Sequence, residues 1–326
     1  MRTPAFLQLH HDDHAAIRQE LIEGLSAPHA HTSPKFLYDA LGSRLFEAIT
    51  ELPEYYPTRT EAAIFAKHGA EMAACIAPHA TLIDLGAGNC NKAAALFDRF
   101  APKRYVAVDI SVSFLRGALE CLQRQYPELE MLGVGMDFSS RLQLPPQALQ
   151  PGEPCVLFYP GSSIGNFTPE QALRFLQDAH SACSQTRGSG LLIGVDLVKD
   201  AVELQAAYDD ALGVTAAFNR NLLLHINRLA GSDIALADWR HMALFNTQAS
   251  RIEMHLLANR NLTVTWPGGR REFAKDEGIH TENSYKWTVP RFAQLLEQAG
   301  FATPQVWTDA PEPSQGRFAV MWARAH

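Results

Sequence analysis

Two glycines, Gly86 and Gly88, follow an apolar run in the stretch LIDLGAGNCNKAA (residues 82–94), and alanine-rich sequence follows them. This pattern predicts a buried strand that passes through a tight turn into a helix. Ligands of open parallel sheets bind beyond the carboxyl ends of the strands, so a ligand here would approach bare backbone that a Cβ would obstruct. Taken alone, the same pattern also fits a tight turn that binds nothing.

Two further strand ends carry side chains suited to the same ligand. Asp109 closes the predicted strand RYVAVDI, where a carboxylate can accept hydrogen bonds from ribose hydroxyls. Asp137 and Phe138 close the next strand, where they can accept from an exocyclic amine and cover an aromatic ring. Each acid singly could instead cap a helix or lie in solvent. Together with the glycine turn they fit S-adenosylmethionine (SAM), which has an adenine, a ribose and a sulfonium but no pyrophosphate.

Three neighbouring residues refine this interpretation. Asn91 stands where a dinucleotide-binding fingerprint has its third glycine, which disfavours NAD. Lys92 could hold the methionine carboxylate of SAM or lie in solvent, and its position alone does not decide. Asp84 could accept hydrogen bonds from the amides of the glycine turn or from the ammonium group of SAM.

The elements that must position these residues follow a βαβ rhythm from about residue 60 to residue 200. Short apolar runs alternate with helical patterns, and these runs are ATLIDL, RYVAVDI, MLGVGMDF, CVLFYPG and GLLIGVDLV. Such runs are typical of buried parallel strands. Near the end of the chain, TVPRFAQLLEQAGF predicts a helix that Thr288 caps and Gly300 ends, and RFAVMWARA predicts a last strand. The sequence therefore predicts an α/β fold with a doubly wound, Rossmann-like sheet.

Residues 1–60 and 197–286 break this rhythm. We assign them together to a second, discontinuous α+β domain for substrate binding, and residues 61–196 and 287–326 to the domain that binds SAM. Within the insertion, KDAVELQAAYDDALGV predicts one long helical part, with the Asp209–Asp210 pair facing water. RIEMHLLA and LTVTWPGG predict strands, and Met254 is expected in the core or the pocket wall.

Composition limits the class of partner. The chain of 326 residues has a formal net charge of −7 and a pI near 6.0, which disfavours nucleic acid and anionic membranes as partners. A small-molecule substrate is favoured, and we expect a monomer. The five cysteines form no CxxC pair, and no apolar stretch is long enough for a signal peptide or a membrane helix, so we expect a cytoplasmic protein.

A metal site is not expected. His10, His11 and His14 lie close together in a polar N-terminal segment, but no fourth ligand stands near them.

Several long motifs resemble the histidine Nα-methyltransferases of ergothioneine biosynthesis. They are KFLYDALGSRLFEAITELPEYYPTRTEAAIF, DLGAGNCNKA, FYPGSSIGNF, AAYDDALGVTAAFNRNLL, RIEMHLL and HTENSYKW, and the resemblance spans about residues 30–325. It implies a class I SAM-dependent methyltransferase fold with an added substrate domain. It also implies three successive methyl transfers to the α-amine of L-histidine, which give hercynine.

The resemblance assigns roles to residues of the matching motifs. With the glycine turn, the cofactor-binding residues are Gly86, Gly88, Lys92, Asp109, Asp137 and Phe138. The substrate-binding residues are Tyr55, Asn166, Tyr208, Glu282 and Ser284. Asn166 and Tyr38 are the expected catalytic residues.

These substrate residues make chemical sense. Glu282 and Ser284 are two positions apart, which places both on one face of an extended strand, and a carboxylate with a hydroxyl can satisfy both nitrogens of an imidazole. A site built in this way rejects an apolar isostere by roughly 10⁴-fold. The hydroxyls of Tyr55 and Tyr208 can donate to a carboxylate, and the Asn166 amide can orient the amine or contact the carboxylate. Without the resemblance, Glu282 and Ser284 would also fit a solvated edge strand.

We therefore expect a SAM-dependent histidine Nα-methyltransferase. The nearest alternative is an enzyme of the same fold that methylates another amino acid or amine. An NAD-dependent dehydrogenase is disfavoured by Asn91 and by the lack of an obvious hydride-relay motif. A SAM-binding regulator without activity is a third alternative.

Overall fold

A computed structural model describes residues 2–9, 13–110 and 112–325 of the chain. The chain forms two compact units. The first comprises Met1–His10, Pro57–Val198 and Lys286–His326, and the second comprises His11–Tyr56 and Lys199–Tyr285. His10 and His11 of the N-terminal histidine group lie outside the described residues.

Thirteen strands and ten α-helices lie within the described residues. In chain order the strands are β1 (Ala5–Gln8), β2 (Thr81–Leu85), β3 (Arg104–Asp109), β4 (Glu130–Gly135), β5 (Cys155–Tyr159), β6 (Gly190–Asp196), β7 (Trp239–Asn246), β8 (Arg251–Ala258), β9 (Leu262–Trp266), β10 (Gly269–Phe273), β11 (Gly278–Tyr285), β12 (Gln305–Thr308) and β13 (Phe318–Arg324). The helices are α1 (His14–Ser26), α2 (Ala40–Thr50), α3 (Tyr56–Cys75), α4 (Asn91–Ala94), α5 (Phe97–Phe100), α6 (Val112–Gln125), α7 (Pro169–Cys183), α8 (Ala201–Ala206), α9 (Val214–Ala230) and α10 (Val289–Gln298).

The first unit is built on a sheet in the order β1-β4-β3-β2-β5-β6-β13-β12. The strands from β1 to β6 pair in parallel, whereas β13 is antiparallel to both of its neighbours. The chain runs outward from β2 to β3 and β4 on one side, and to β5 and β6 on the other. The strand order therefore reverses between β2 and β5, which is where doubly wound sheets bind ligands. The predicted α/β fold class is confirmed.

The central strands of this sheet are buried along their whole length. Every residue of β2, β5 and β6 is inaccessible to solvent, as expected for parallel strands with helices on both faces. The C-terminal helix α10 begins as predicted, because the Thr288 hydroxyl accepts a hydrogen bond from the Arg291 amide. Gly300 follows it with a φ of +105°.

The N-terminal strand corrects the domain assignment. Residues 1–60 were assigned to the second domain, but β1 pairs in parallel with β4 at the edge of the first unit's sheet. The Phe6 ring covers Gly133 so closely that a Cβ there would lie 2.6 Å from the ring. A strand of only four residues leaves too weak a pattern in the sequence to be recognised.

A buried ion pair marks the place where the chain leaves and re-enters the first unit. Asp196, at the end of β6, accepts from the Lys286 ammonium at 2.8 Å, and both side chains are fully buried. Leu197 and Trp287 form a parallel bridge beside this pair, and the Val198 amide donates to the Trp287 carbonyl. The two crossing segments therefore run side by side.

The second unit packs helices against an antiparallel sheet in the order β11-β8-β7, with β9 and β10 forming a separate hairpin. Helices α1 and α2 both contact α9, which in turn contacts β7 and β8. Ile252, Met254 and Leu256 on β8 lie in its apolar core, so Met254 is a core residue as expected.

The long helix expected after residue 199 is interrupted. Helix α8 ends at Ala206 and α9 begins at Val214. Asp210 lies between them, and its carboxylate accepts from the amides of Val214 and Thr215. Asp210 is 5% exposed, so the expectation that it faces water was wrong. These amides would otherwise lack a partner at the start of α9.

Among the described residues, every helix is too short or too polar to traverse a bilayer.

Candidate active site

The glycine turn after β2 is held by backbone hydrogen bonds. The amides of Gly86 and Ala87 both donate to the Val108 carbonyl, at 2.8 and 3.0 Å. Gly86 and Gly88 have φ angles of +74° and +52°, which disfavour any residue with a Cβ. Apart from Gly88 and its two chain neighbours, no atom of the described residues lies within 4 Å of the position that a Cβ of Gly88 would take. The turn therefore presents open, bare backbone at the switch point of the sheet.

Asp109 ends β3 beside this turn. Its Oδ2 atom accepts a hydrogen bond from the Gly88 amide at 2.9 Å. The carboxylate is thus fixed in place by the turn that it helps to shape. Asp109, which the sequence predicts to accept from a ribose, therefore also stabilises the glycine turn.

Phe138 lies close to the same turn. A Cβ on Gly86 would lie 3.9 Å from the Cζ atom of Phe138, so the ring and the turn form adjoining walls. Tyr159 and Phe175 pack against Phe138 with ring centroids 6.0 and 6.1 Å away. Asp137 precedes it and accepts from the Ser139 amide at 2.8 Å. The walls would accept a flat aromatic ring with a polar edge.

Lys92 is paired with a residue that the sequence reasoning did not select. Its Nζ atom donates to the Oε2 atom of Glu61 at 2.7 Å, and the Lys92 side chain remains 36% exposed. The other oxygen of Glu61 accepts from the Gly161 amide at 2.7 Å. Glu61 stands in the motif YYPTRTE, of which only Tyr55 was selected. Glu61 precedes the apolar residues Ile64 and Phe65 by three and four positions, and an acid on the apolar face of a helix is the signal that could have identified it.

Asp84 does not bond to the amides of the glycine turn, which was one of its two expected tasks. Its Oδ2 atom accepts from the Tyr105 hydroxyl at 2.8 Å, and its Oδ1 atom is buried without a hydrogen-bond partner among the described residues. Burial raises the pKa of Asp84 from 3.8 to about 7, and the nearby Asp109 acts in the same direction. Among the described residues, the buried carboxyl group of Asp84 is therefore hydrogen-bonded through only one of its two oxygens.

Asn166 belongs to the first unit. It ends a 3₁₀ turn, Ser163–Asn166, in the loop that follows β5. Two hydrogen bonds hold the start of this loop. The Gly161 amide donates to Glu61, and the Ser162 hydroxyl accepts from the Asp196 amide at 2.8 Å. Asn166 therefore lies on the opposite side of the switch point from the glycine turn.

The second unit carries the other predicted substrate residues. On β11, Glu282 pairs with Met254 and Ser284 pairs with Ile252, whereas Asn283 pairs with Glu253. A register shift lies between His280 and Glu282. Both partners of Glu282 and Ser284 point into the core, so these two side chains share the inner face of the sheet. They are 8% and 5% exposed and do not decorate a solvated edge.

A group of aromatic side chains reaches this face through Tyr208. The Tyr208 hydroxyl lies 2.7 Å from the Ser284 hydroxyl oxygen, and the Tyr208 ring contacts the Tyr55 ring edge to face, with centroids 6.2 Å apart. Phe46 contacts both Tyr55 and Tyr38 in the same manner. Phe218 completes the group beside Tyr38 and Phe46. Phe46 and Phe218 were missed, since they lie on two helices far apart in sequence.

The outer face of the same sheet carries a potential metal-ligand cluster. Glu253, His255 and His280 have ligand atoms within 4.8 Å of one another. Glu253 is already paired with Arg251 at 2.7 Å, and it accepts from the Asn246 amide group. The Nε2 atom of His280 lies 3.1 Å from the Glu282 carbonyl oxygen, which can only accept, so this nitrogen carries the proton. The cluster is a hydrogen-bonded network that supports the strand bearing Glu282.

The geometry agrees with comparisons to known proteins. The profile of a family described as "Histidine-specific methyltransferase, SAM-dependent" matches residues 17–325. A histidine N-alpha-methyltransferase from Mycolicibacterium smegmatis is 39% identical over 300 residues, which cover 90% of this chain and 91% of that protein. The protein of the same name from Mycobacterium tuberculosis is 38% identical and covers 91% and 92%. A protein from Aspergillus flavus named only as an N-methyltransferase is 27% identical over 91% of this chain and 83% of its own length.

The doubly wound sheet and the bare glycine turn at its switch point are the structural features that a SAM-dependent methyltransferase needs. Because the family profile matches nearly the whole length of the chain, the chain belongs to the SAM-dependent, histidine-specific methyltransferases.

Proposed function

We propose that this protein transfers methyl groups from SAM to the α-amine of L-histidine, three times in succession, to give hercynine. The first unit binds SAM and the second unit binds the amino acid. Two relatives named histidine N-alpha-methyltransferase support this assignment, and the similarity covers about nine-tenths of each of them.

The residues of the first unit fit SAM. Gly86 and Gly88 leave room for the ligand along the backbone, and the open space beyond Gly88 admits its ribose. Asp109 would accept from the ribose hydroxyls, Asp137 would accept from the adenine amine, and Phe138 would cover the adenine ring. Lys92, the sole positively charged member of the set, would bind the methionine carboxylate. When bound, SAM supplies an electrophilic methyl group on a sulfonium.

The residues of the second unit fit histidine. Glu282 and Ser284 offer a carboxylate and a hydroxyl to the two imidazole nitrogens. Tyr55 and Tyr208 have hydroxyls that can donate to the α-carboxylate, and Tyr38 belongs to the same aromatic group. The amide oxygen of Asn166, in the first unit, is an acceptor suited to an α-amine.

The protein must handle one proton before each transfer. The α-amine of histidine is protonated in water, and only the neutral form has the lone pair that attacks the methyl carbon. Three transfers therefore release three protons and leave a permanent positive charge on the product. Each proton leaves to solvent before the transfer, the Asn166 amide oxygen can hydrogen-bond an amine, and the faces of Tyr55 and Tyr38 suit the growing cation. The transfer requires the amine to be aligned with the methyl carbon at roughly 3 to 3.5 Å.

The observation that carries the proposal is the buried pair of Glu282 and Ser284 on the inner face of β11. Both side chains are buried on one face of the strand, where a carboxylate and a hydroxyl together can hydrogen-bond the two nitrogens of an imidazole. The alternative is methylation of another amino acid or amine. The relative from Aspergillus flavus supports it, because the name of that protein does not include histidine.

The experiment is mass spectrometry of the protein incubated with SAM and an equimolar pool of amino acids. We expect histidine alone to gain 14, 28 and then 42 mass units, with the last species accumulating. A pool in which another amine gains methyl groups faster than histidine would favour the alternative. Accumulation of the mono- or dimethylated product would contradict the proposed threefold transfer.

A further inference from the structure

A buried carboxylate joins the two loops that flank the switch point of the first unit. Glu61 lies on α3 and its side chain is only 1% exposed. One carboxylate oxygen accepts from Lys92, which follows the glycine turn after β2. The other accepts from the Gly161 amide in the loop after β5. Both distances are 2.7 Å, so one side chain connects both sides of the place where the ligand is expected.

Two glycines lie close to this arrangement. A Cβ on Gly161 would lie 2.8 Å from the Nζ atom of Lys92, and a Cβ on Gly194 would lie 2.1 Å from the Oε1 atom of Glu61. Gly161 also has a φ of +76°, which a side chain would oppose. A side chain at either position would therefore displace Lys92 or Glu61 from the place where they meet.

We propose that Glu61 is a positioning residue that holds the Lys92 ammonium at the methionine end of the SAM site. This inference rests on the proposed function, because it takes SAM as the ligand of the first unit. An ammonium group has three donors, and Glu61 accepts from one of them. The Lys92 side chain is still partly exposed, so its other donors are available to the ligand carboxylate. Glu61 itself touches neither the substrate nor the reacting atoms.

The chemistry of the two partners explains why a carboxylate is needed. Lys92 and Gly161 both donate, so the residue between them must accept on both sides. Glutamine has the same shape but offers one acceptor and one donor. Its NH₂ group must therefore face either the ammonium or the amide, and one of the two contacts is lost. Turned toward Lys92, it would push the ammonium away from its position.

The test compares two ligands that differ only at the methionine end. S-adenosylhomocysteine has an amino-acid carboxylate, whereas 5′-methylthioadenosine keeps the adenosine and the sulfur but lacks it. Calorimetric titration of Glu61→Gln should show S-adenosylhomocysteine binding weakened by about 10- to 100-fold. Binding of 5′-methylthioadenosine should change by less than about twofold.

Two further variants separate positioning from general damage. Lys92→Met should show the same selective loss, and adding Glu61→Gln to it should cause no further loss, since the two residues act through one contact. Glu71→Gln is a matched control on the same helix, with a carboxylate that bonds His68 and Trp307 instead. It should bind both ligands as the unchanged protein does.

Three results would overturn parts of this picture in distinguishable ways. If Glu61→Gln weakened both ligands equally, or bound both normally, the inference would be wrong while the proposed function stood. Additive losses in the double variant would show that Glu61 does not act through Lys92. If the unchanged protein failed to bind S-adenosylhomocysteine, the proposed function itself would fail.

Discussion

The two units build their parts of the candidate site by different physical means. In the first unit the site is made of backbone and charge, since a glycine turn with positive φ angles is surrounded by Asp84, Asp109 and the Glu61–Lys92 pair. In the second unit it is made of shape, since aromatic rings in edge-to-face contact connect through Tyr208 to one of two buried polar side chains on one strand.

The difference matches what each unit is proposed to recognise. SAM is charged and flexible at one end, so its binding requires fixed charges and close approach to the backbone. The imidazole of histidine is small and flat, so its recognition requires a rigid pocket with two correctly placed hydrogen-bonding groups. A variant of the first unit should therefore change ligand affinity or pH dependence, and a variant of the second should change substrate choice.

The largest effect is expected at Glu282. Glu282→Gln keeps the volume of the side chain but replaces one acceptor by a donor in a buried place. We expect kcat/KM for histidine to fall by about 10³-fold or more. Affinity for S-adenosylhomocysteine should stay within about twofold, as measured by calorimetry. Glu272→Gln, on the exposed strand β10 of the same unit, is the control. Normal turnover of histidine by Glu282→Gln would remove the imidazole assignment.

The next largest effect is a change in stability at Asp84. Its raised pKa means that the folded protein binds a proton that the unfolded chain releases, so this group destabilises the fold as pH rises from about 4 to about 7. Asp84→Asn cannot ionise. We expect it to raise the free energy of unfolding by up to about 4 kcal/mol at pH 8, with a smaller gain at pH 5.

Urea unfolding at both pH values measures this gain. A gain of the same size at pH 5 and pH 8 would show that the ionisation of Asp84 is not the cause. Better stability accompanied by weaker binding of S-adenosylhomocysteine would indicate that the carboxylate is kept for the ligand.

Replacing Asp109 should weaken cofactor binding and leave substrate choice unchanged, which is the opposite of the effect expected at Glu282. Asp109→Ala removes the expected ribose acceptor and leaves the Gly88 amide without its partner. We expect S-adenosylhomocysteine to bind about 100-fold more weakly, while the preference for histidine over other amino acids is retained. Asp98→Ala, at an exposed site on α5, provides the comparison. A changed amino-acid preference in Asp109→Ala would mean that the two units do not divide recognition as proposed.

The smallest effect is expected at Tyr208. Tyr208→Phe keeps the ring against Tyr55 but removes the hydrogen bond to Ser284. We expect KM for histidine to rise by about 5- to 10-fold, with kcat nearly unchanged. Ser284→Ala should resemble it, and the double variant should be less impaired than the sum of both. Fully additive losses in steady-state kinetics would show that the two hydroxyls act separately.

The same contrast explains what the sequence could predict. Strand ends of a parallel sheet meet along one edge, so Asp109, Asp137 and Phe138 could be brought together from the order of the apolar runs alone. The spacing of Glu282 and Ser284 fixed their common face without knowledge of the fold. These inferences depend only on the periodicity of strands.

What could not be predicted depends on contacts between distant segments. Glu61 reaches Lys92 and Gly161 only because α3 packs beside the sheet, and no local pattern encodes that packing. Phe46 and Phe218 belong to helices whose mutual orientation is set by the core of the second unit. Asp210 was expected in water, because a pair of acids is usually solvated, but here one of them caps α9.

The buried ion pair of Asp196 and Lys286 has a consequence for changes of chain length. Since the two crossing segments run side by side, the segment 199–285 begins and ends at the same point of the first unit. A change of length within residues 199–285 would therefore leave every strand of the first unit's sheet uninterrupted, whereas Tyr38 and Tyr55 belong to the other segment of the second unit and would keep their place in the chain.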